Sequence, residues 1–580
     1  MLREYSTSVS EPLTAVSEPL AAPFGRSAGG LGALHLSVRR LLAFVLMALV
    51  YVLAVRPVTD PDFWWHLRAG RFIVETRSIP HTDIFSSTFF GREWVAHEWL
   101  SEALMYAVHS AFGYAGLVAF FGLVISAAMW IAYRRASSRV GHPYVAGFAL
   151  LLGGLCASPT WGVRPQMFSF LFASIFVAVL DDYASGRNRR RVWLLVPLTL
   201  LWVNMHAGFA LGLALIVLTI TGLVLDALLS EKNSRSDEGR VSGGFEVEIV
   251  PNEIEIETVP NEVEVKTVAS GVEVKTFQDG VEVKTFRAGV ETVWRRVRTL
   301  AFVFAACVVA VALNPSGMRL YLYPFETLTS HAMMKYINEW FSPDFHQTMF
   351  QPLAVMLFAT FAALALSSRR VRPGSLLLLA ATGYMALRSG RNVPFFALVA
   401  TPLLAEHVWA WLTRQSWGGW LLKPERREAG ERVALKVALN LVLFVCVPLA
   451  VCVVRVQHVA ARQMEDEAEN FPVAAVEFIR EHRPPQPIYN EYGWGGYMIW
   501  NLYPDYRVYI DGRADVYGDA YLEEFLKTHD GTLNWRTPLE RVGVRTVVVN
   551  PEAPLASLLR QEGGWRNVFE DKQAVIFVRE

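Results

Sequence analysis

Two carboxylates open the segment that follows the first apolar stretch of the chain. Asp60 and Asp62 are separated by one proline, and His66 follows four residues later. Carboxylates beside an imidazole are suited to proton transfer or to binding a divalent cation. Because Pro61 favours an extended neighbour, we expect the two carboxylates to converge on a cation or on one sugar hydroxyl. The alternative is ordinary surface charge, since a lone Asp-x-Asp pair is a weak signal.

Further acids and imidazoles interrupt apolar or aromatic stretches. The segment WVAHEWLSE contains His97 and Glu98 and then turns helical and apolar, which predicts an amphipathic helix that lies on a membrane and leads into a span. Glu98 either lines a site or serves only in capping and interface contacts. His206 is either a functional side chain or a hydrogen-bonded packing residue. Glu339, in the segment INEW, could supply a second acid.

Three arginines stand at ends of apolar stretches, in the segments WGVRPQ and LRSGRN. They are Arg164, Arg388 and Arg391. The planar guanidinium group matches the geometry of a phosphate, so we expect these arginines to bind one. The alternatives are a salt bridge to an acid such as Asp83 or Glu339, or contact with lipid headgroups.

The composition indicates a membrane protein. The chain has 580 residues, of which 53% are hydrophobic and 19% charged, and its mean hydropathy is +0.28. Soluble domains average nearer 25% charged residues, and this balance excludes a disordered, coiled-coil or collagen-like chain. The formal net charge is zero, so no global basic field indicates a nucleic-acid partner. The four cysteines lie in apolar runs with neither metal-ligand nor disulfide spacing.

Eleven stretches are candidate membrane-spanning helices, given the roughly 20 residues that one crossing needs. They cover residues 38–56, 114–133, 143–162, 165–182, 192–206, 207–229, 297–313, 350–367, 373–390, 393–412 and 433–455. Residues 192–225 contain no Asp, Glu, Lys or Arg and are too long for one comfortable crossing. Since residues 204–208 are polar and flexible, we divide that stretch there.

The basic residues give the expected orientation. Arginine clusters lie beside the spans at residues 39–40, 134–139, 187–191, 295–298, 369–372 and 426–427. With an odd number of spans and a cytoplasmic N-terminus, every cluster falls on the cytoplasmic side, as the positive-inside rule requires. The C-terminus is then external. The first span lies too far from the N-terminus, and lacks the small-residue site, for a cleaved signal peptide.

These features divide the chain into four parts. Residues 1–37 are rich in Ser, Pro, Ala and Gly, which predicts a disordered cytoplasmic tail. Residues 38–455 form the transmembrane domain, with a long external loop at 57–113. Residues 231–294 form a cytoplasmic insertion with a nine-residue repeat of alternating apolar and charged residues, typical of short strands. Residues 456–580 form an external domain.

Residues 466–580 have the pattern of a small α/β domain. Helices are predicted at 472–483, 518–528 and 553–562, and strands at 487–489, 497–500, 507–510, 545–549 and 574–578. The segments NEYGWGGY and IDGRADVY supply Tyr492, Trp494, Asp511 and Arg513. Aromatic rings between glycines can stack on sugar faces, so acceptor binding is one interpretation. The other is a tight turn packed by aromatic side chains.

The chain resembles the GT-C superfamily of membrane glycosyltransferases. The resemblance rests on the topology and on DPDFWWHLRAGRFI, IPHTDIFS, WVAHEWLSE, WVNMHAGF, ALNPSGMRL, INEWFSPD and RSGRNVPFF, and it covers residues 38–580 without the insertion. It is similar to a bacterial branch related to protein O-mannosyltransferases, lipid A aminoarabinose transferases and oligosaccharyltransferase catalytic subunits. The expected fold is therefore a polytopic α-helical membrane protein of about 11 transmembrane helices, GT-C-like, with a small external α/β C-terminal domain.

The resemblance implies a function. Such an enzyme transfers a sugar from a polyprenyl-phosphate donor to a lipid, glycan or protein acceptor on the external face of a bacterial cytoplasmic membrane. Asp60 and Asp62 match the family's acidic residue, as catalytic base or metal ligand. The candidate substrate-binding residues are His66, Glu98, Arg164, His206, Glu339, Arg388, Arg391, Tyr492, Trp494, Asp511 and Arg513. A divalent metal ion is a possible cofactor, held by the oxygens of Asp60, Asp62 and Glu339.

Two other functions are consistent with the sequence. A flippase or transporter of lipid-linked sugars has a similar topology, although the two halves of this sequence show no inverted repeat. A non-catalytic envelope-assembly protein of the same fold is the other. The acceptor motif of oligosaccharyltransferases has a Trp-Trp-Asp order that this chain lacks, which argues against glycosylation of asparagine.

Overall fold

The structure, a computed structural model, is mostly helical. It describes residues 38–140, 142–238, 254–259, 262–267, 273–277, 280–281, 285–416, 439–532 and 534–580. The predicted cytoplasmic tail at 1–37 lies outside these residues, as does the beginning of the predicted span at 433–455.

Helices occupy all eleven stretches that the sequence predicts. They are α1 (Val38–Ala54), α3 (Trp99–Arg139), α4 (Pro143–Ala157), α5 (Gln166–Ala184), α6 (Leu195–Val203), α7 (Phe209–Glu238), α8 (Thr285–Val311), α11 (Gln351–Leu366), α12 (Pro373–Arg388), α13 (Val393–Leu412) and α14 (Val447–Asn470). Within the described ranges, seven helices are long and apolar enough to cross a membrane by length and composition, and Arg40–Ala54 is a shorter apolar helix. The chain is a multi-pass membrane protein.

The apolar stretch at 192–225 is divided where its polar middle predicts. Helix α6 ends at Val203 and α7 begins at Phe209. Polar groups in the turn find partners: Asn204 Oδ1 accepts the Trp99 indole N–H at 2.8 Å, and Asn314 Nδ2 donates to the Val203 carbonyl at 3.0 Å. A buried turn must satisfy its backbone and side-chain polar groups in this way.

The long loop at 57–113 is ordered by two helices. Helix α2 (Asp62–Thr76) buries most of its first three turns, from Phe63 to Gly70. Helix α3 then begins at Trp99 and is broken at Gly113, where φ is 61° and ψ is −157°. A side chain at this φ would be strained, so glycine lets the polypeptide change direction there. The helix that the sequence predicts ahead of the second span is therefore present and joined to that span by a kink.

Two short helices precede α11 in the chain. They are α9 (Tyr323–Thr329) and α10 (His331–Tyr336), and one turn at Asn338–Trp340 follows them. The insertion folds as an antiparallel ladder of β1 (Ile254–Val259), β2 (Glu262–Thr267), β3 (Glu273–Phe277) and β4 (Gly280–Val281). The predicted short strands are present, but α7 reaches Glu238 and α8 begins at Thr285, inside the predicted limits of 231 and 294.

The C-terminal part is a small α/β domain built on one four-stranded sheet. The strands are β5 (Ile488–Asn490), β6 (Thr546–Val549), β7 (Trp565–Glu570) and β8 (Val575–Arg579), in the order β5-β6-β8-β7. Strands β5 and β6 are parallel, and the other pairs are antiparallel. The helices are α15 (Val473–His482), α16 (Gly495–Leu502), α17 (Ala514–Tyr517), α18 (Asp519–His529), α19 (Arg536–Val542) and α20 (Pro554–Gln561).

Two of the predicted strands are wrong. Residues 497–500 lie in α16, in which every residue from Gly495 to Ile499 is buried, and a short apolar run buried on all sides does not reveal its period. Residues 507–510 form no strand of the sheet; Val508 makes an isolated bridge with Ser86 of the long loop. The sequence also misses β7 and α19.

The domain is joined to the long loop by buried charges and backbone hydrogen bonds. Arg513 donates to both carboxylate oxygens of Asp511, at 2.8 and 2.7 Å, and lies 2.8 Å from Asp83 of the loop. All three side chains are fully buried, and Tyr517 donates to Asp511 at 2.7 Å. The Ser87 N–H donates to the Val508 carbonyl at 2.8 Å. Loop and domain therefore pack as one unit.

Candidate functional site

An open cavity of about 430 Å³ lies between the helical bundle and the C-terminal domain. Its polar and charged lining residues are Asp62, His66, His97, Glu98, Arg164, Gln166, Ser169, His206, Glu339, Arg391, Arg513 and Asp515. Its apolar lining residues include Ala210, Leu211, Ala214, Pro324, Leu328, Met385 and Phe395. The cavity thus combines charged side chains with apolar ones, several of which belong to the start of α7.

Arg164, one of the polar lining residues, binds two acids. Its Nε lies 2.7 Å from Asp60 Oδ2, and its Nη1 pairs with Glu339 Oε1. For Arg164 the structure therefore shows the alternative to phosphate binding that the sequence left open, a salt bridge to Glu339. Burial opposes the charge, but Asp60 and Glu339 outweigh it and raise the pKa of Arg164 above its usual range.

Asp60 and Asp62 have different surroundings. Asp60 Oδ1 accepts the backbone N–H of Asp62 at 3.0 Å, and its other oxygen faces Arg164. Asp62 begins α2, and its Oδ1 accepts the indole N–H of Trp65 at 3.1 Å. Pro61 is in the α conformation (φ −57°, ψ −33°), so the two carboxylates take separate partners rather than the shared one that we expected from an extended motif.

Asp62 is the carboxylate whose protonation changes near neutral pH. Burial raises its pKa, and the charge of Asp60 raises it further, while the charges of His66 and Arg164 oppose them; the resulting pKa is about 7. A carboxylate with such a pKa accepts a proton more readily than an ordinary aspartate and is still largely ionised at slightly alkaline pH.

Glu98 lies among three imidazoles. His66 Nδ1 is 3.4 Å from Glu98 Oε2, and the Nε2 atoms of His97 and His206 are 3.3 and 3.4 Å from Oε1. His66 Nδ1 is also 3.2 Å from Oε1 of the buried Glu102. Although burial disfavours its charge, the nearby charges of His97 and His66 outweigh that effect and hold the pKa of Glu98 well below its usual range.

The hydrogen bonds assign a different protonation state to two of these histidines. His206 Nδ1 accepts the Gly208 N–H at 2.8 Å and also contacts the Ser169 hydroxyl at 2.8 Å, so its proton is on Nε2, toward Glu98. Burial lowers the pKa of His206 to about 3, so this imidazole is neutral. For His97, burial is outweighed by the charge of Glu98, which raises the pKa to about 9 and keeps that imidazole charged.

One group of side chains has the composition of a metal site. The ligand atoms of His66, Glu98 and Glu102 all lie within 4.8 Å of one another, and Glu102 Oε2 has no hydrogen-bond partner among the described residues. One imidazole and two carboxylates suit a divalent transition-metal ion or zinc. By contrast, two of the three acids that the sequence offers for a metal, Asp60 and Glu339, are already paired with Arg164.

The two arginines of the LRSGRN segment are separated by the structure. Arg391 lines the cavity and lies over the Trp340 ring at 4.5 Å; across the described residues no carboxylate lies within ion-pair distance of it. Arg388 is exposed, does not line the cavity and lies 3.2 Å from the Met334 sulfur. Of the pair, only Arg391 presents its charge to the cavity.

A second cavity, of about 560 Å³, lies beside the first. The two share the side chains of Arg164, Gln166, Glu339 and Arg391 as lining. The rest of the second cavity is lined mainly by polar residues and two phenylalanines, including Thr160, Asn338, Ser342, Asp344, Gln347, Phe341 and Phe350. A reacting group between the cavities would therefore be in reach of the Arg164–Glu339 pair.

The glycine-rich motifs of the C-terminal domain dock against the acidic motif. A Cβ atom on Gly512 would lie 1.6 Å from Asp62 Oδ1, and one on Gly496 would lie 2.5 Å from the Pro61 carbonyl oxygen. Tyr492 donates to the Gly512 carbonyl at 3.3 Å, and Trp494 is half-buried against the core. The tight-turn interpretation thus describes the structural role of Tyr492 and Trp494. Neither lines the cavity among the described residues.

Eight of the predicted site residues line the main cavity. They are Asp62, His66, Glu98, Arg164, His206, Glu339, Arg391 and Arg513. Asp511 is buried behind it as the partner of Arg513. Sequence reasoning missed Asp515 and Tyr323, which also line the cavity. Asp515 lies four residues after Asp511 in the IDGRADVY segment, and that second carboxylate was the available signal.

The comparisons with known proteins concern the whole chain. No family model matches it, and no curated protein matches it. Among solved structures it is similar to the archaeal oligosaccharyltransferase AglB from Archaeoglobus fulgidus in complex with an inhibitory peptide and a dolichol-phosphate, with 11% identity, a TM-score of 0.49, and coverage of 93% of this chain and 74% of that one. It is also similar to ArnT from Cupriavidus metallidurans bound to undecaprenyl phosphate, with 13% identity, a TM-score of 0.41, and coverage of 92% and 97%.

Both of these structures are GT-C glycosyltransferases, the superfamily that the sequence resembles. At such low identity and TM-score they do not say what this chain binds or transfers. Its function has to be inferred from its own side chains.

The close approach of Gly512 to Asp62 gives a prediction. Gly512→Ala forces a Cβ into Asp62 and should move either the carboxylate or the domain, lowering the melting temperature of the purified chain and speeding cleavage between the bundle and the domain by limited proteolysis. Gly493→Ala is the matched control, because a Cβ there has nothing within 4 Å. Equal stability and cleavage of the two variants would show that the docking is not tight at Gly512.

Proposed function

We propose that this protein is a membrane glycosyltransferase of the GT-C type, which moves a sugar from a polyprenyl-phosphate donor to an acceptor on the membrane face that bears the C-terminal domain. The observation that supports this most directly is the main cavity. A proton-accepting carboxylate, Asp62, and an arginine without an ion-pair partner among the described residues, Arg391, both line this cavity, together with apolar side chains.

The apolar and the charged lining of the cavity match the two parts of such a donor, its lipid chain and its sugar phosphate. The apolar lining at Leu211, Ala214 and Phe395 suits an isoprenoid chain, whose burial is favourable at about 25 cal/mol per Å². The phosphate would lie against Arg391, whose planar guanidinium binds phosphate through paired hydrogen bonds. The sugar would then lie among the polar lining residues, near Asp62.

The reaction requires few groups beyond a base and a cation near the phosphate. The acceptor hydroxyl or amide loses its proton as it attacks the sugar carbon, and a positioned base accelerates this step. Positive charge beside the departing phosphate stabilises the transition state. Because a phosphate ester is a good leaving group, no general acid is required, and a single functional carboxylate is sufficient.

The structure favours Asp62 over Asp60 as the base. Asp60 is paired with Arg164 and accepts a backbone N–H, so its oxygens are engaged. Asp62 faces the cavity and has a pKa of about 7, raised by burial and by Asp60. In this proposal Asp60 is a positioning residue that fixes Arg164 and raises the basicity of Asp62.

Glu98, with the three histidines around it, would form the rest of the polar lining. Glu98 holds charged His97 and neutral His206, and the His206 ring is fixed by Ser169 and Gly208. A divalent ion bound by His66, Glu98 and Glu102 would supply positive charge for the donor phosphate. Without an ion, His66 Nδ1 lies between Glu98 Oε2 and Glu102 Oε1, and Glu102 Oε2 has no hydrogen-bond partner among the described residues.

The first test is a complementation experiment. The gene is deleted in its host and restored as wild type, as Asp62→Asn or as Asp505→Asn, with equal expression of the full chain checked in membranes. Polyprenyl-linked sugars and envelope glycans are then profiled by mass spectrometry. We expect wild type and Asp505→Asn to restore a glycan that the deletion lacks. Asp62→Asn should leave its lipid-linked donor accumulating, because loss of a general base costs about 10²–10⁴-fold in rate.

The outcomes separate the three possible functions. Asp505 is an exposed aspartate of the C-terminal domain, so its variant controls for the loss of one negative charge. Full restoration by Asp62→Asn would contradict the proposal and favour a transporter or an assembly protein. A further assay in detergent separates the enzyme from a transporter. A transporter only moves the donor between leaflets, so the amount of donor would stay unchanged, whereas the enzyme would consume the donor.

The pKa of Asp62 gives a pH prediction. With the donor identified by that experiment, kcat/KM of the purified enzyme should fall about tenfold per pH unit below pH 7, since protonated Asp62 cannot accept a proton, and should level off above it. Asp60→Asn removes a charge that raises the pKa of Asp62, so the acid limb should move to lower pH. An unchanged limb in Asp60→Asn would assign the titration to another group.

The separation of the two arginines gives a third prediction. Arg391→Gln removes the guanidinium that faces the cavity and should lower kcat/KM for the lipid-linked donor about tenfold to hundredfold, the value of a hydrogen bond to a charged group. Arg388→Gln makes the same change three residues away on an exposed side chain and should leave kcat/KM nearly unaltered. Equal losses in both variants would remove Arg391 from the phosphate site.

A further inference from the structure

A second charged region lies at the other face of the bundle. Helix α13 begins at the functional site and carries Glu406 about 20 Å further along, at 1.5 Å rise per residue. Here two adjoining cavities, of about 70 and 240 Å³, share the lining residues Arg139, Asp181, Arg372, Ser375 and Leu403. We refer to the two together as the arginine cavity. None of its residues belongs to the site described above.

Arginine predominates in this lining. The charged residues are Arg135, Arg139, Arg187, Arg369, Arg370 and Arg372 against Asp181, Asp226 and Glu406. Arg139 bridges Asp181 at 2.5 Å and Glu406 at 2.9 Å. Arg369 also binds Glu406, at 3.0 Å, and Arg135 lies 3.6 Å from Asp181. Arg187 pairs with Asp182 at 3.2 Å. Because six arginines line the cavity against three carboxylates, it keeps an excess of positive charge.

A buried imidazole adds an unsatisfied polar atom. His407 lines the same cavity and is 2% exposed, and its Nδ1 has no hydrogen-bond partner among the described residues. A buried polar atom without a partner is costly, and such atoms are usually satisfied by a ligand, an ion or water. The excess of guanidinium groups determines the sign of the ligand that fits here, which is an anion.

The inner part of the arginine cavity is apolar. It runs between α5, α7, α12 and α13 and is lined by Val177, Leu180, Leu215, Leu218, Leu223, Leu378, Val399 and Leu403. Its floor is closed where α7 and α12 touch, since a Cβ on Gly222 would lie 2.7 Å from the Gly374 Cα atom. A free anion would fill the polar part alone, whereas a molecule with an acyl chain would fill both parts.

We propose that the arginine cavity binds an anionic phospholipid, with its phosphate at Arg369, Arg370 and Arg372 and one acyl chain in the apolar inner part that α5, α7, α12 and α13 line. Basic pockets between transmembrane helices bind anionic headgroups in this way. The site is separate from the proposed donor site, and the bound lipid is a resident of the membrane rather than a substrate.

The test measures lipid binding by the full-length chain in a neutral detergent. Native mass spectrometry counts bound lipid during titration with phosphatidylglycerol, with phosphatidylcholine as the zwitterionic comparison and inorganic phosphate as competitor. We expect phosphatidylglycerol to bind and phosphatidylcholine not to. Arg370→Gln with Arg372→Gln should weaken binding about 25-fold, from about fivefold for each arginine near an anionic lipid.

Arg134→Gln is the control, because Arg134 is exposed beside the same face and does not line the cavity. A second variant, Leu378→Trp, fills the apolar inner part and should weaken binding of the long-chain lipid without removing any charge. Equal binding by the double variant and Arg134→Gln would overturn the proposal. So would displacement of the lipid by millimolar phosphate, which would reduce the cavity to an ion site. Sugar-transfer activity is not the readout, so failure here leaves the proposed function intact.

Discussion

The buried guanidinium of Arg513 joins the two parts from which the main cavity is built. It ties Asp511 of the C-terminal domain to Asp83 of the long loop, with all three side chains fully buried. Removing one partner of such a buried group costs about 3–5 kcal/mol, because the remaining charges are left without compensation. The loop also positions α2 and therefore Asp62, and Gly512 lies directly against that carboxylate. The domain thus forms one wall of the site and shields Asp62 from solvent.

Burial of Asp62 has an electrostatic consequence. An isolated buried carboxylate takes up a proton, and the adjacent Asp60 adds to this tendency. If Arg164 were bound only to Asp62, its charge would keep the group ionised and weakly basic. Instead Arg164 is paired with Asp60 and Glu339, which leaves Asp62 without an arginine partner among the described residues. The same division leaves Arg391 as an arginine that lines the cavity without an ion-pair partner among the described residues.

The helical part of the fold was predictable and the site only in part, for a physical reason. Length, hydropathy and the distribution of arginines are local properties, and they were sufficient to place eleven helices and the division at Asn204.

Distances between segments are not local. Asp511 and Arg513 looked like site residues, but Asp511 is buried as a partner of Arg513, which also pairs with Asp83 of the long loop. Arg388 and Arg391 look equivalent in sequence, and the end of α12 directs only one of them to the cavity. Strand prediction failed at 497–500 because a fully buried helix and a buried strand are equally apolar.

The division of one long apolar stretch into α6 and α7 connects the fold to the chemistry. In a continuous helix through residues 192–225, the backbone N–H and C=O groups would all be hydrogen-bonded within the helix. Such a helix could not turn His206 toward Glu98. The turn at 204–208 frees the Gly208 N–H to bind His206 Nδ1, which leaves the proton on Nε2 pointing at Glu98. Glu98 in turn ends the loop that carries α2, one residue before α3 begins. A break that costs helical hydrogen bonds in a membrane is tolerated where it lines a polar cavity. The polar residues of this turn are therefore best explained by the site that they complete.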